Sequence, residues 1–154
     1  MKKILTFEKI NKTAEKLAEY VKSGDVVALI GDLGTGKTTF TKKFAEALGV
    51  TDNLKSPTFN YVLEYFSGRL PLYHFDVYRL GEPEEIYEVG YEDYLGGDGV
   101  ILIEWADIVM SELPKEYIKI TLEYDGDETR AVSLEYIGNK EREKEMLDYV
   151  NFSD

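Results

Sequence analysis

Apolar residues along this chain fall into helical stripes and short unbroken blocks, and the way the two alternate lays out an order of elements. Across residues 6–22, Ile10, Ala14, Leu17, Ala18 and Val21 lie near helical spacing before Ser23-Gly24-Asp25 breaks the run, which predicts an amphipathic helix packed on a sheet. Asp25-Val26-Val27-Ala28-Leu29-Ile30 is the β-branched block of a buried strand. Phe40, Phe44, Ala47 and Leu48 then return at helical spacing, and Gly49 stands where a left-handed cap would end that helix. Ser56-Pro57-Thr58-Phe59 signals a turn, and residues 61–66 and 70–75, joined across Ser67-Gly68, predict a hairpin. A short helical stretch is expected over residues 83–94, closed by Gly96-Gly97, followed by the apolar strand Val100-Ile101-Leu102-Ile103. Residues 117–124 and 131–137 predict two more strands around Asp125-Gly126-Asp127, and the charged tail from about residue 139 predicts a surface helix. Apolar strands that do not alternate, set between helices, imply a three-layer α/β fold with a mainly parallel central sheet and antiparallel edge strands.

Composition narrows the class. A length of 154 residues with 44% hydrophobic content fits one domain over residues 1–154 with a proper core. The absence of cysteine excludes a disulfide scaffold, a thiolate metal site and a cysteine nucleophile. No apolar run reaches membrane-spanning length and no signal core follows Met1-Lys2-Lys3, so a cytoplasmic protein with no membrane partner is expected. A net charge of −12 repels phosphate backbones, which disfavours direct nucleic-acid binding and leaves a basic protein partner open. Most of the acidic residues simply solvate the surface.

Between the first strand and the second helix, Gly31-Asp32-Leu33-Gly34-Thr35-Gly36-Lys37-Thr38 fits the phosphate-binding pattern G-x-x-x-x-G-K-[ST], with Thr39 the next hydroxyl along. The glycines Gly31, Gly34 and Gly36 allow positive φ and remove Cβ atoms that would block close approach, so that backbone N–H groups can turn inward onto phosphate oxygens. The helix start adds the positive end of its dipole. Lys37 can reach β- and γ-phosphates, and the Thr38 hydroxyl can ligate a Mg²⁺ that bridges them. Such a site needs a carboxylate from a neighbouring strand tip, and two fit: Glu104 after residues 100–103 and Asp76 after Tyr73-His74-Phe75. Glu104 is assigned to the metal; Asp76 either joins it or positions the attacking water. The bland alternatives are a helix cap for Glu104 and a salt bridge to Arg79 for Asp76. His74, the only histidine, fits a packed, hydrogen-bonded core residue better than an acid or base. Thr58 suits a γ-phosphate contact or a turn cap equally.

Taken together, residues 31–40, Ser56-Pro57-Thr58-Phe59, His74-Phe75-Asp76-Val77-Tyr78-Arg79-Leu80 and Ile103-Glu104-Trp105 resemble the bacterial TsaE family, in order, over about residues 6–107. The resemblance implies a P-loop NTPase-like fold and a small ATPase, using ATP and Mg²⁺, that serves threonylcarbamoyladenosine formation in tRNA. It also implies assembly with TsaD and TsaB, which ATP binding and hydrolysis would reset between turnovers, with tRNA met only through those partners. Carried onto this chain, it makes residues 34–39 the phosphate cradle, Thr38 and Glu104 magnesium ligands, Asp76 a required acid near the γ-phosphate and Trp105 a companion of Glu104. Ala106-Asp107 departs from the family, where proline is common, and leaves the turn after Trp105 undefined. By family analogy the adenine pocket is expected near residues 6–13 and the hairpin around Arg130.

Three competing readings stand beside this one. A small kinase would draw several arginines over the phosphate, and this chain has only Arg69, Arg79, Arg130 and Arg142, widely spread. A GTPase would need a carboxylate where Asn139-Lys140-Glu141-Arg142 has arginine. A nucleotide-dependent binding switch without significant hydrolysis is the non-enzyme alternative. Tyr87, Tyr91 and Tyr94 are candidates for a partner face, with core packing the commoner use of such residues.

Overall fold

A computed structural model describes residues 1–55, 57 and 60–152. Seven strands, β1 (Lys2–Thr6), β2 (Val26–Gly31), β3 (Val62–Tyr65), β4 (Leu72–Asp76), β5 (Val100–Glu104), β6 (Tyr117–Tyr124) and β7 (Thr129–Ile137), form one sheet in the order β1-β7-β6-β2-β5-β4-β3. The four central strands, β6, β2, β5 and β4, run parallel, while β1, β7 and β3 join antiparallel at the two sides. This is the expected α/β class.

Strand alternation decides which layer each side chain enters. Val27 and Leu29 of β2, Val100 and Leu102 of β5 and Ile118 and Ile120 of β6 pack into one core with α1 (Phe7–Tyr20), α2 (Lys37–Leu48) and α4 (Lys140–Tyr149). Val26 and Ala28, Ile101 and Ile103 face the opposite core, closed by the 3-10 segment Pro83–Val89, the single turn α3 (Tyr91–Tyr94) and a second 3-10 segment, Ala106–Glu112. Because the central strands are buried on both faces, they read as continuous apolar blocks.

Several boundaries differ from the sequence expectation. Residues 2–6 form a strand, with the Thr6 hydroxyl accepting the Lys9 N–H to start α1. The helical stretch expected over residues 83–94 is a 3-10 helix followed by one α turn, and Gly90 at φ 85 separates the two. Gly49 caps α2 at φ 100, as expected. Among the tyrosines proposed for a partner face, Tyr91 is fully buried, and Tyr94 stacks on Tyr73 and Phe75, so these two belong to the core; Tyr87 is 39% exposed.

Candidate functional site

The turn from β2 into α2 is held rigid by contacts from distant segments. The Thr35 amide and hydroxyl both donate to the Asp32 carbonyl, at 3.2 and 2.8 Å. The Tyr124 hydroxyl donates to the Leu33 carbonyl at 2.6 Å, and Arg130 Nε to the Thr35 carbonyl at 3.2 Å. Arg130 is itself held between the rings of Phe7 and Tyr124, 4.8 and 4.7 Å from their centroids. The two segments suggested for adenine therefore meet beside the loop.

Gly34 (φ 83) and Gly36 (φ 112) occupy left-handed backbone, as the loop was expected to require. Gly31 answers to the other reason for glycine here, the missing Cβ. It continues β2 without positive φ, and its missing side chain is a packing requirement: a Cβ there would lie 2.6 Å from Thr35 Oγ1 and 2.8 Å from the Leu122 carbonyl oxygen of the paired strand. At Gly36 nothing lies within 4 Å of a built Cβ.

Beyond Gly36 the first turn of α2 has neither a side-chain cap nor an acidic residue, so no side chain of that turn offsets the positive end of the helix dipole. Lys37 is 6% exposed; its ammonium bonds to the Gly31 and Asp32 carbonyls, the latter at 2.9 Å, and lies 3.9 Å from the centroid of the Trp105 ring. Burial pushes the ammonium down from its ordinary value, while the charges of Glu104, Asp107, Asp32 and Asp76 pull the other way. Trp105 takes left-handed backbone at φ 62, begins the 3-10 segment and stacks on Tyr78 at 4.7 Å between centroids.

The two acids are brought together by sheet register. Asp76 and Glu104 are the last residues of neighbouring parallel strands and pair directly, and alternation from Leu72 and from Val100 turns both toward the layer that holds α2. Asp76 Oδ1 accepts the Tyr78 N–H at 3.1 Å. Burial raises the Asp76 carboxyl above its usual range; the Tyr78 N–H opposes that shift, the charge on Glu104 adds to it, and Lys37 opposes it. Glu104 is buried, with Oε2 2.6 Å from His74 Nε2. His74 is thus a hydrogen-bonded core residue, as read, and touches the site as well.

A cleft of about 660 Å³ joins these groups, lined among others by Lys37, Thr38, Thr39, Asp76, Glu104 and Trp105. Gly34, Gly36 and Leu33 border it too, whereas Thr35 is buried beneath the loop. A larger cleft, about 840 Å³, lies between β1, α1 and residues 150–152, and offers lysines without an acid pair or a glycine loop. Of these two, the smaller cleft alone combines a glycine loop with an acid pair. Sequence reasoning missed Tyr78 as a wall of this cleft, although it stands two residues beyond Asp76 in a motif already noted. Thr58, with Ser56 and Phe59, lies outside the described residues.

The donor set suits a hard cation with phosphates. Thr38, Asp76 and Glu104 supply oxygen only, as Mg²⁺ prefers, and among the described residues no group of three or more His, Cys, Asp or Glu side chains forms a self-sufficient metal cage. One or two carboxylates with phosphate oxygens completing the shell is the usual way Mg²⁺ is held.

Fold and site together define a single-domain, three-layer α/β protein of the P-loop NTPase-like class, with its glycine loop set against two strand-tip acids. The profile of the family described as "Threonylcarbamoyl adenosine biosynthesis protein TsaE" matches residues 4–132. The tRNA threonylcarbamoyladenosine biosynthesis protein TsaE of Bacillus subtilis is 45% identical over 133 residues, covering 86% of this chain and 83% of that protein. Its namesake in Rickettsia felis is 40% identical over 147 residues, covering 95% and 84%. The crystal structure of YdiB from Bacillus subtilis superposes with a TM-score of 0.78 at 36% identity, covering 100% of this chain and 98% of the other. The chain belongs to the TsaE family, whose part is in threonylcarbamoyladenosine biosynthesis. Among the described residues no helix is long and apolar enough to cross a membrane.

Proposed function

We propose that this chain is a Mg²⁺-dependent ATP-binding and ATP-hydrolysing component of the threonylcarbamoyladenosine machinery, acting with a TsaD–TsaB complex and resetting it between turnovers. The observation that carries the reading is the state of Lys37. A buried ammonium satisfied by main-chain carbonyls and a ring face, beside an uncapped helix start, is a cation poised for an anion that those amides can also bind.

Each residue then has a task. The amides of residues 34–39 hold phosphate oxygens, and Lys37 moves from the Gly31 and Asp32 carbonyls to the β- and γ-phosphates. Thr38 and Glu104 hold the metal, whose chemistry is to neutralise charge as the terminal phosphate leaves. Asp76, its carboxyl raised by burial, sits at the same strand-tip level and orients the attacking water or shares the metal.

Turnover by the isolated chain is expected to be weak, because three of the four arginines are engaged away from the cleft and Arg79 alone borders it. Arg69 bonds the carbonyls of Ala18, Glu19 and Val21 at the end of α1, Arg130 is stacked beneath the loop, and Arg142 pairs with Asp25. The same facts weigh against a kinase lid. Asn139 caps α4 through the Arg142 N–H, which accounts for the segment that superficially resembled a guanine motif. A chain of net charge −12 is well suited to meet tRNA through its partners.

Phosphate release by the chain, alone and with TsaD and TsaB, tests the proposal. Slow release alone that changes on adding the partners supports it. Absence of ATP uptake with or without them refutes it.

A further inference from the structure

Behind the strand-tip acid stands a buried histidine that the reading above does not use. His74 lies one strand alternation before Asp76 and is 2% exposed, with Nε2 2.6 Å from Glu104 Oε2. An ionised carboxylate can only accept, so the ring hydrogen belongs on Nε2. Nδ1 of the same ring has no partner among the described residues, which suits a lone pair better than an N–H. A leucine here would fill the strand position without leaving a buried nitrogen unsatisfied, as Leu72 does two residues earlier. Packing alone therefore does not account for an imidazole.

The competing partner of Glu104 explains what the imidazole does. Among the nearby carboxylates Glu104 does most to hold the Lys37 ammonium charged, yet that ammonium bonds to the Gly31 and Asp32 carbonyls. If the carboxylate swung onto Lys37, the two charges that phosphate and metal need would cancel each other. A cavity of about 170 Å³ brings Thr38, His74, Asp76 and Glu104 together, with Thr41, Lys42, Leu54 and Lys55 completing its lining, and the acid is held on the histidine side.

We propose that His74 is a positioning residue: its Nε2–H holds one carboxylate oxygen of Glu104, leaving the other for the metal beside Thr38 and keeping the acid off Lys37. Hydrogen bonds from outer partners to ligating carboxylates are a general means of orienting a metal site. The proposal deepens the ATP–Mg²⁺ reading and rests on it.

Trp105 is the only tryptophan and lies against Lys37, so its fluorescence reports on the cleft. The full chain is titrated with Mg²⁺ in the presence of a non-hydrolysable ATP analogue, as wild type, His74→Leu, His74→Gln and His74→Asn. A glutamine amide nitrogen takes the place of Nε2, and an asparagine amide takes that of Nδ1. His74→Leu and His74→Asn are expected to raise the half-saturating Mg²⁺ concentration about 10-fold, the lower end for loss of an outer partner, while His74→Gln stays near wild type. Wild-type Mg²⁺ dependence in His74→Leu would overturn the proposal. Should that variant fail to fold, a His74→Gln shift as large as that of His74→Asn overturns it instead. A wild-type chain that takes up no analogue at all would refute the ATP reading itself, a result distinguishable from either.

Discussion

Replacing Arg142 with alanine probes the buried ion pair that ties the last helix to the start of the central strand. Arg142 donates to both oxygens of Asp25, at 2.6 and 2.9 Å, and also to the hydroxyls of Tyr136 and Tyr20. Asp25 is 7% exposed and would keep only the Lys22 N–H at 2.9 Å and the Tyr136 hydroxyl at 3.4 Å. Breaking one side of a buried pair costs about 3–5 kcal/mol. The Arg142 side chain retains 19% exposure, which sets the expectation at the lower end, about 3 kcal/mol. For a chain of this size each 1 kcal/mol moves Tm by about 2–4 °C, so Arg142→Ala should melt roughly 6–12 °C lower. Removing the stranded charge as well, in Asp25→Asn/Arg142→Ala, should recover about 1–2 kcal/mol of that loss in a double-mutant cycle. Asp25 lies six residues from Gly31 along β2, about 20 Å from the cleft, so nucleotide affinity of the folded variants should match wild type. The assay is denaturant and thermal unfolding followed by circular dichroism. A loss below about 0.5 kcal/mol, the scale of an ordinary surface change, or strictly additive effects in the cycle, would refute the reasoning.

Gly31→Ala should destabilise the fold by about 1–3 kcal/mol, because its Cβ meets the backbone oxygen of a paired strand; calorimetric melting checks this, and a native Tm would contradict it. Lys37→Ala should leave the chain folded and lower nucleotide affinity at least about 10-fold in calorimetric titration, the loss of a charge-assisted phosphate contact. Glu104→Ala should cut Mg²⁺-dependent phosphate release more than nucleotide affinity; unchanged turnover would remove Glu104 from the metal site. Asp76→Asn should raise Tm at neutral pH. With its folded value raised by burial, Asp76 contributes stability below its unfolded value and loses it as pH rises through the folded one, so the gain from Asn should vanish in acid.

The elements that were legible in the sequence are those whose signal is local. Unbroken apolar blocks marked β2 and β5, helical spacing marked α1 and α2, and the glycine loop announced its own corner. β1 was missed because Lys2-Lys3-Ile4-Leu5-Thr6 sits at the edge, where Ile4 is 55% exposed and only Leu5 is buried, so no two-faced apolar block forms. The 3-10 segment Ala106–Glu112 was missed because its opening depends on left-handed backbone at Trp105, which no propensity foretells. Within the site, Lys37, Thr38, Asp76 and Glu104 were readable from motif and strand-tip logic. The pairing of His74 with Glu104 and the closeness of Gly31 to Leu122 were not, because each depends on register between strands far apart in the chain, and the stack of Arg130 between Phe7 and Tyr124 was not, because it brings the start of α1 onto a distant hairpin.

The central claim is that main-chain amides between residues 31 and 39 and the acid at the tip of β5 act on the same nucleotide. A crystal structure of the chain with a non-hydrolysable ATP analogue and Mn²⁺, located by its anomalous signal, addresses it most directly. The account expects the β- and γ-phosphates on the residue 34–39 amides and Lys37, with the cation about 2.0–2.2 Å from Thr38 Oγ1 and one Glu104 oxygen. A triphosphate seated elsewhere, or a cation in the cleft that ignores Glu104, would contradict it.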